Sequence, residues 1–218
     1  MATRTTIRIR RTGGRYDEFA LEAGSSTTIL DALEEIAAKT DATLLYRHSC
    51  HHGSCGTCSV IANGARVLAC TTRLTDLGEE VTLEPLSPFP VVGDLAIDPT
   101  PLFDDFPRDS GYLRPSEVNH DSPVPSEIER FSRFENCIEC GLCVSACPVR
   151  ADFMGPAALA AYSREIDKRP EREAELLAQV DSQRGVWGCE RALECSRTCP
   201  LGVYPAKHIA VLQRKIRP

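Results

Sequence analysis

The chain has 218 residues, a formal net charge of −6 at pH 7 and an isoelectric point near 5.4. An acidic chain offers no basic face to a phosphate backbone, so nucleic acid is not expected as a partner. No stretch approaches the roughly 18 apolar residues of a membrane-spanning helix, and the N terminus shows no apolar signal segment. We therefore expect any membrane contact to be made through another chain.

The first predicted elements are two strands separated by a turn. Ile7 and Ile9 alternate with arginines, and this two-residue period is typical of a strand with one buried face. Gly13-Gly14 marks a turn, and a second strand is predicted over residues 16–21 beyond it.

A helix, a hairpin and a further strand follow. Thr28 and Asp31 form the capping-box pattern that begins a helix, and the apolar residues after Thr28 recur at helical spacing. Asn63-Gly64 lies between two apolar pairs and is a strong signal for a hairpin turn. With a last strand predicted over residues 81–86, this part of the chain has the layout of a β-grasp fold.

The first four of the eleven cysteines lie in this region. Cys50, Cys55, Cys58 and Cys70 give C-x4-C-x2-C followed by a distant cysteine, which is the plant-type spacing of a [2Fe–2S] ligand set. Small residues lie between these ligands, so backbone amides can approach and point at sulfur. The two histidines after Cys50 invite a Rieske interpretation, but four cysteines at the plant-type spacing favour the all-cysteine set.

A proline-rich stretch separates this region from a helical one. Residues 88–125 hold eight of the fifteen prolines and show little periodicity, which is typical of an extended connector. Beyond it, helices are predicted to begin near Pro156, Pro170 and Pro205, each followed by apolar residues at helical spacing.

The other seven cysteines lie in two stretches of the helical region. They are Cys137, Cys140, Cys143 and Cys147 in a C-x2-C-x2-C-x3-C-P run, and Cys189, Cys195 and Cys199 downstream. In two-cluster proteins with this run the fourth cysteine binds the other cluster, so ligands are exchanged between the stretches. The predicted sets are Cys137, Cys140, Cys143 and Cys199 for a [4Fe–4S] cluster, and Cys147, Cys189 and Cys195 for a second cluster.

The second of these sets lacks a fourth thiolate. A complete run after Cys189 would place a cysteine at position 192, where the chain has Ala192. Three thiolates suit a [3Fe–4S] cluster, and every cysteine of the chain then becomes a ligand. A disulfide framework would leave an odd cysteine, and structural zinc sites use closed sets of four ligands, so both alternatives match less well.

These patterns together predict an α+β protein with two domains. The first is an N-terminal β-grasp [2Fe–2S] ferredoxin-like domain, placed with the connector at residues 1–105. The second is an all-helical two-cluster ferredoxin-like domain, placed at residues 106–218, which holds the [4Fe–4S] and [3Fe–4S] clusters.

The order of these motifs resembles the iron–sulfur subunit of succinate dehydrogenase and fumarate reductase over nearly the whole chain. Residues 89–98 are similar to the family's segment after the first domain, and residues 155–162 to its first helix between the cluster motifs. The resemblance implies a relay of three clusters that carries single electrons between a FAD-containing catalytic subunit and a quinone at a membrane anchor subunit. It also implies that this chain performs no substrate chemistry and lies at the cytoplasmic face of the inner (plasma) membrane, attached through its partners.

The chain departs from the family near the expected quinone site. Many members have a Trp-rich stretch after the place of Cys147 and a histidine after the place of Cys189, whereas this chain has the shorter 149–155 and Glu190. The shorter stretch resembles the branch whose membrane subunit carries two haems, so a haem-bearing anchor is expected. The residues leave open whether this chain contacts quinone, and Trp187, the only tryptophan, is expected to pack beside a ligand.

Two other functions are compatible with the same motifs. One keeps the electron transfer but changes the partner to another flavoprotein, as in a heterodisulfide-reductase-like or glycerol-phosphate-dehydrogenase-like complex. The other is a structural or regulatory module that folds around metal, in which case the metal would be zinc without acid-labile sulfide.

Overall fold

The computed structural model describes residues 3–108, 137–149 and 152–217. The chain divides into two compact units, one formed by Met1–Pro101 with Ile138–Ala146, and the other by Leu102–Cys137 with Cys147–Pro218. The boundary expected between residues 105 and 106 stays a prediction. The connector predicted beyond residue 108 lies outside the described residues.

The first unit is built on a five-stranded sheet with the order β2-β1-β5-β3-β4. Its strands are β1 (Thr3–Arg10), β2 (Tyr16–Ala23), β3 (Ser59–Ala62), β4 (Ala65–Leu68) and β5 (Glu80–Glu84). The central strand β1 pairs antiparallel with β2 and parallel with β5, which aligns Ile7 with Val81 and Ile9 with Leu83. These four side chains are fully buried, so the alternation of the sequence places one face of the sheet in the core.

One helix, α1 (Ile29–Lys39), contributes its apolar side to this core. Its predicted capping box is present: the Asp31 N–H donates to Thr28 Oγ1 at 3.1 Å, and the Thr28 N–H donates to Asp31 Oδ2 at 2.8 Å. The predicted Asn63-Gly64 turn joins β3 and β4. The strand predicted to end at residue 86 ends at Glu84, because Pro85 has no N–H to extend the ladder.

Part of the predicted connector is folded into the first unit. Strands β6 (Val91–Gly93) and β7 (Ala96–Ile97) form a short hairpin whose turn contains Asp94 at a φ of 43°. Asp94 is buried and accepts hydrogen bonds from the backbone of Thr12 at 2.8 Å and of Leu45 at 3.0 Å. Long-range contacts of one side chain hold this hairpin, and local periodicity does not reveal such contacts.

The second unit is helical. Its helices are α3 (Gly155–Lys168), α4 (Glu173–Val180), α5 (Glu194–Arg197) and α6 (Pro205–Ile216), while the short α2 (Leu142–Ala146) belongs to the first unit. Pro156 and Pro205 lie in the first turns of α3 and α6, as predicted. Residues Pro170–Arg172 form a 3₁₀ turn, so α4 begins three residues later than predicted. The predicted α+β fold class, with strands first and helices after, is confirmed.

The core of the second unit is a cluster of aliphatic side chains and one tyrosine. It contains Leu159, Tyr162, Ile166, Leu176, Val180, Val186, Ile209 and Leu212. These residues come from α3, α4, α6 and the turn before Cys189, so the core sets the position of the cysteine-bearing segments between the helices.

Candidate iron–sulfur cluster sites

Four thiols of the first unit meet beside the β3–β4 hairpin. Cys58 directly precedes β3, Cys70 follows the end of β4, and the Ala69 N–H donates to the Cys58 carbonyl at 3.0 Å. The thiol of Cys70 contacts that of Cys58 and lies near that of Cys50, which in turn contacts that of Cys55. The hairpin therefore brings together the four residues predicted for the [2Fe–2S] set.

Polar groups of the cluster loop, residues 48–58, point at these sulfurs. The Ser54 N–H donates to Cys50 Sγ at 3.3 Å. Hydrogen bonds from the backbone of His52 and then the side chain of Ser54 lower the pKa of Cys50 to about 5. Burial, and then the neighbouring Cys58 thiol, raise the pKa of Cys70 to about 12. In a cluster these groups are thiolates, so the same donors stabilise negative charge on sulfur.

The histidines that follow Cys50 have partners other than the four thiols. His51 Nε2 lies 3.1 Å from His48 Nδ1. His52 makes a hydrogen bond to the Cys50 carbonyl through Nδ1, and its Nε2 lies 2.9 Å from Ser54 Oγ. This geometry favours the all-cysteine set over a Rieske centre, since the four thiols already converge.

A glycine of the cluster loop permits a close approach within the first unit. Gly56 has a φ of 69°, and a Cβ placed on it would lie 2.7 Å from the Cys140 Cβ and 2.7 Å from the Ile138 carbonyl oxygen. No side chain fits at these distances, so position 56 needs glycine both for its backbone and for this contact.

Three thiols of the second unit line one cavity. Cys147, Cys189 and Cys195 surround about 340 Å³ of space that protein atoms do not fill, part of it open to solvent. Burial, and then the neighbouring charges of Cys147 and Cys189, raise the pKa of Cys195. Ala192 lines the same cavity, on a segment whose neighbours Arg191 and Leu193 adopt left-handed backbone conformations. A cavity lined by three thiols has the donor type that an iron–sulfur cluster requires.

The remaining four cysteines are divided between the units. Cys137 and Cys199 pack against the small buried pair Ala160 and Val203, and the Val203 N–H donates to Cys199 Sγ at 3.3 Å. Cys140 and Cys143 belong to the first unit, where Cys143 lies on α2. The assignment of all four to one [4Fe–4S] cluster stays a prediction.

Trp187 is held beside Cys189 by contacts on both of its sides. The ring packs against the helical core, its Nε1 donates to Asp181 Oδ1 at 2.6 Å, and the Arg217 guanidinium lies 4.2 Å from the ring centroid. Cation–π stacking of this kind fixes the ring orientation. The expected packing role of this residue is confirmed.

Sequence reasoning missed the individual amides that donate to sulfur. Ser54 and Val203 both do so through the backbone, and residue type does not reveal a backbone donor. The small residues between the cysteines of the first set were the available signal.

Among the described residues, no helix is both long enough and apolar enough to cross a bilayer. Every cysteine lies within those residues, and all eleven are unbridged thiols. A disulfide framework is therefore not formed.

Two domain families match the chain, and together they cover most of it. Residues 3–104 match a 2Fe-2S iron-sulfur cluster binding domain, and residues 133–203 match a 4Fe-4S dicluster domain. A fumarate reductase iron-sulfur subunit from Mycobacterium tuberculosis is 40% identical over 192 residues, which cover 82% of this chain and 76% of the relative. The chain belongs to the family of fumarate reductase iron–sulfur subunits.

Further relatives support the same family. A fumarate reductase iron-sulfur subunit from Haemophilus influenzae is 34% identical over 204 residues, covering 85% of this chain and 80% of the relative. A chain of the Mycobacterium smegmatis Sdh1 complex in the apo form superposes with a TM-score of 0.78 at 26% identity, covering 99% of this chain and 96% of that one. The chain is thus an electron-transfer subunit of the succinate dehydrogenase and fumarate reductase type. These matches favour it over the other flavoprotein complexes and over a zinc-folded module.

Proposed function

We propose that this chain carries single electrons between a FAD-containing catalytic subunit and a quinone at a membrane anchor subunit, and that substrate chemistry takes place in the flavoprotein. The observation that supports this most strongly is the gathering of four thiols in one loop and three in one cavity, in a member of the fumarate reductase family. Each iron–sulfur cluster supplies a site that accepts and returns one electron at a time. The residues of this chain bind the clusters and set their surroundings.

Three ligand sets follow from this proposal. The [2Fe–2S] cluster is assigned to Cys50, Cys55, Cys58 and Cys70, the [4Fe–4S] cluster to Cys137, Cys140, Cys143 and Cys199, and the [3Fe–4S] cluster to Cys147, Cys189 and Cys195. The three-iron assignment is supported by Ala192, which lines the cavity of the last set with a methyl group in place of a fourth thiol.

The side chains and amides around the sulfurs have a defined role in this scheme. Donors such as the Ser54 and Val203 N–H groups stabilise the reduced, more negative state of a bound cluster. The burial of Cys195 has the opposite effect, because a low-dielectric surrounding disfavours added charge. Hydrogen bonding and burial therefore differ between the sites, and with them the reduction potentials.

The partners and the location belong to the same proposal. The catalytic partner carries FAD, the anchor carries the membrane spans and, in the branch that the short segment 149–155 resembles, haem. The chain then lies at the cytoplasmic face of the plasma membrane through these partners. Arg150 and Ala151 of that segment lie outside the described residues.

The test is isolation of the intact complex from membranes under anaerobic conditions, using a tag on this chain. We expect a flavoprotein and a multi-span subunit to co-purify, together with FAD and haem, and succinate to reduce the clusters. Isolation with a flavoprotein that does not react with succinate or fumarate would contradict the proposal.

The order of electron transfer has its own test in the same complex. The [2Fe–2S] cluster is proposed to accept electrons from the flavin, so Cys58→Ser should slow succinate-driven reduction of the other two clusters and leave flavin reduction intact. Thr57→Ser, at the neighbouring position, serves as the control and should behave as the native complex does. Equal rates of cluster reduction in both variants would refute the proposed order.

A further inference from the structure

Three side chains that serve none of the proposed clusters meet on the surface of the first unit. Glu34 lies on α1, and His48 and His51 lie in the cluster loop, all three partly exposed. His48 Nδ1 and His51 Nε2 are 3.1 Å apart, and Glu34 Oε1 lies 3.8 Å from the first and 3.5 Å from the second. Two imidazole nitrogens and one carboxylate oxygen thus form a nearly regular triangle.

The size of this triangle matches the coordination shell of a zinc ion. A point equidistant from the three atoms lies about 2.0 Å from each, which is the length of Zn–N and Zn–O bonds. The edges also lie close to the separation of roughly 3.3 Å between neighbouring ligand atoms in tetrahedral zinc sites. An ion slightly above the triangle would have normal bonds to all three atoms and one open position.

The two imidazoles are oriented by contacts other than their own. The Tyr46 ring stacks on His48 with centroids 5.2 Å apart, and the His48 and His51 rings stand at 78° to each other. His51 has a φ of 62°, a left-handed conformation that is uncommon for residues other than glycine. The loop therefore holds His51 in an unfavourable backbone state that turns its Nε2 toward His48 and Glu34.

Hydrogen bonding alone leaves part of this cluster unsatisfied. One proton on either histidine can link the two nitrogens, but it then cannot also serve the Glu34 oxygen. A cation accepts a lone pair from each of the three atoms at once. Imidazole together with carboxylate suits zinc, whereas calcium and magnesium prefer sites made of oxygen ligands alone.

We propose that Glu34, His48 and His51 form a surface zinc site, with water in the fourth position. The site is separate from the iron–sulfur ligands, although His51 directly follows Cys50. The third histidine of the loop, His52, takes no part because both of its ring nitrogens are engaged, with the Cys50 carbonyl and Ser54 Oγ.

Zinc binding is tested on the full chain with its clusters loaded, handled without oxygen. Iron and sulfide are measured in each sample, so that the cysteines are known to be occupied, and equilibrium dialysis against Zn²⁺ then gives zinc per chain. We expect one zinc for the native chain. Glu34→Gln, His48→Gln and His51→Gln should each weaken binding at least about tenfold, while the matched variant His52→Gln binds as the native chain does.

Two measurements distinguish zinc at this triangle from a damaged loop and from zinc bound to cysteine. Glu34 lies on α1 outside the cluster loop, so loss of zinc in Glu34→Gln at unchanged iron content cannot come from a damaged loop. Zinc K-edge absorption should show only nitrogen and oxygen neighbours near about 2.0 Å. A sulfur shell near about 2.3 Å, or equal zinc binding by all four variants, would overturn the proposal.

Discussion

Arg11 connects three parts of the first unit that are distant in sequence. Its guanidinium makes ion pairs with Asp17, Asp41 and Asp94, and only 6% of its side chain is exposed. The hydrogen bond from Arg11 lowers the pKa of Asp41 well below its usual range. Burial raises the pKa of Asp94, but hydrogen bonds from Leu45, Thr12 and Arg11 outweigh it, so the net shift is downward. One cation therefore holds the β6–β7 hairpin and the loop after α1 against β1.

Replacing Arg11 with Met should destabilise the first unit strongly. The change leaves the buried Asp94 carboxylate without its cation, which costs about 3–5 kcal/mol for a broken buried pair and lowers the thermal midpoint by roughly 6–15 °C. Arg15→Met is the matched control, because Arg15 pairs with Asp17 but is 69% exposed. It should change stability by less than about 1 kcal/mol. Similar midpoints for the two variants, measured by thermal unfolding, would contradict this role of Arg11.

Ala192→Cys should convert the three-iron site to a four-iron site. The new thiol would face the cavity that Cys147, Cys189 and Cys195 line, and a fourth thiolate provides the ligand that a [4Fe–4S] cluster lacks there. EPR of the oxidised native chain is expected to show a [3Fe–4S] signal, which the variant should lose while gaining about one iron. Ala192→Ser, which adds a weaker ligand of similar size, is the control. A native chain prepared without oxygen damage that lacks this signal would count against the three-ligand set.

At the scale of elements, the cluster loop and residues 138–146 are in close contact through Gly56. Gly56→Ala should destabilise the first unit by about 1–3 kcal/mol beyond the backbone cost, because the methyl group overlaps Cys140 and the Ile138 carbonyl. Gly64→Ala is the matched control: it has a similar positive φ of 80° but faces open space. It should cost only the roughly 1 kcal/mol of the backbone conformation. Thermal unfolding of both variants measures the difference, and equal midpoints would show that the contact has no energetic effect.

The contact between α3 and α6 contains a buried histidine. His208 Nδ1 lies 3.0 Å from Ser163 Oγ, and burial, with the charge of Lys207, lowers the pKa of His208 to about 4. In the unfolded chain its pKa returns to about 6.5, so between these values the unfolded state binds a proton that the folded state does not. The neutral histidine therefore favours folding fully above about pH 6.5, and this contribution is lost as the pH falls toward about 4.

His208→Gln should reduce the pH dependence of stability in this window. The native chain is expected to lose up to about 3 kcal/mol more than the variant between pH 7.5 and pH 4.5. Thermal midpoints at several pH values provide the measurement, and His52→Gln on the exposed loop is the control. If the His208 variant and the native chain lose stability in parallel, the buried histidine is not responsible.

The elements show where sequence patterns suffice and where they do not. The capping box at Thr28 and the Asn63-Gly64 turn were predicted because the backbone conformation depends there on adjacent residues. The β6–β7 hairpin was missed because Asp94 is held by Thr12 and Leu45, far away in the chain. Local patterns thus predict elements that local interactions form.

The same reasoning applies to the sites. The spacing of the cysteines predicted the thiol groups of the first unit and of the second-unit cavity, since cluster geometry constrains the number of residues between ligands. The Glu34–His48–His51 triangle was not predicted, because it depends on where α1 packs against the loop. The position of a helix surface relative to a loop follows from tertiary packing.

For the whole molecule, the proposed clusters fix the iron content. A chain purified anaerobically should hold about nine irons, the total of one [2Fe–2S], one [4Fe–4S] and one [3Fe–4S] cluster. Iron and acid-labile sulfide assays on the same sample provide the measurement. Fewer than about seven irons with full sulfide occupancy would contradict the assignment of three clusters.

The arrangement of the first unit also governs the order in which a growing chain can fold. β1 pairs with β5, and Cys50, Cys55, Cys58 and Cys70 all lie between these strands in the sequence. The unit also includes residues 138–146, which are synthesised after the start of the second unit. Closing such long loops is slow, and it requires the late segment to have left the ribosome. The first four thiols are therefore exposed on the nascent chain well before the sheet that positions them is complete, so iron and sulfide must be delivered late in synthesis.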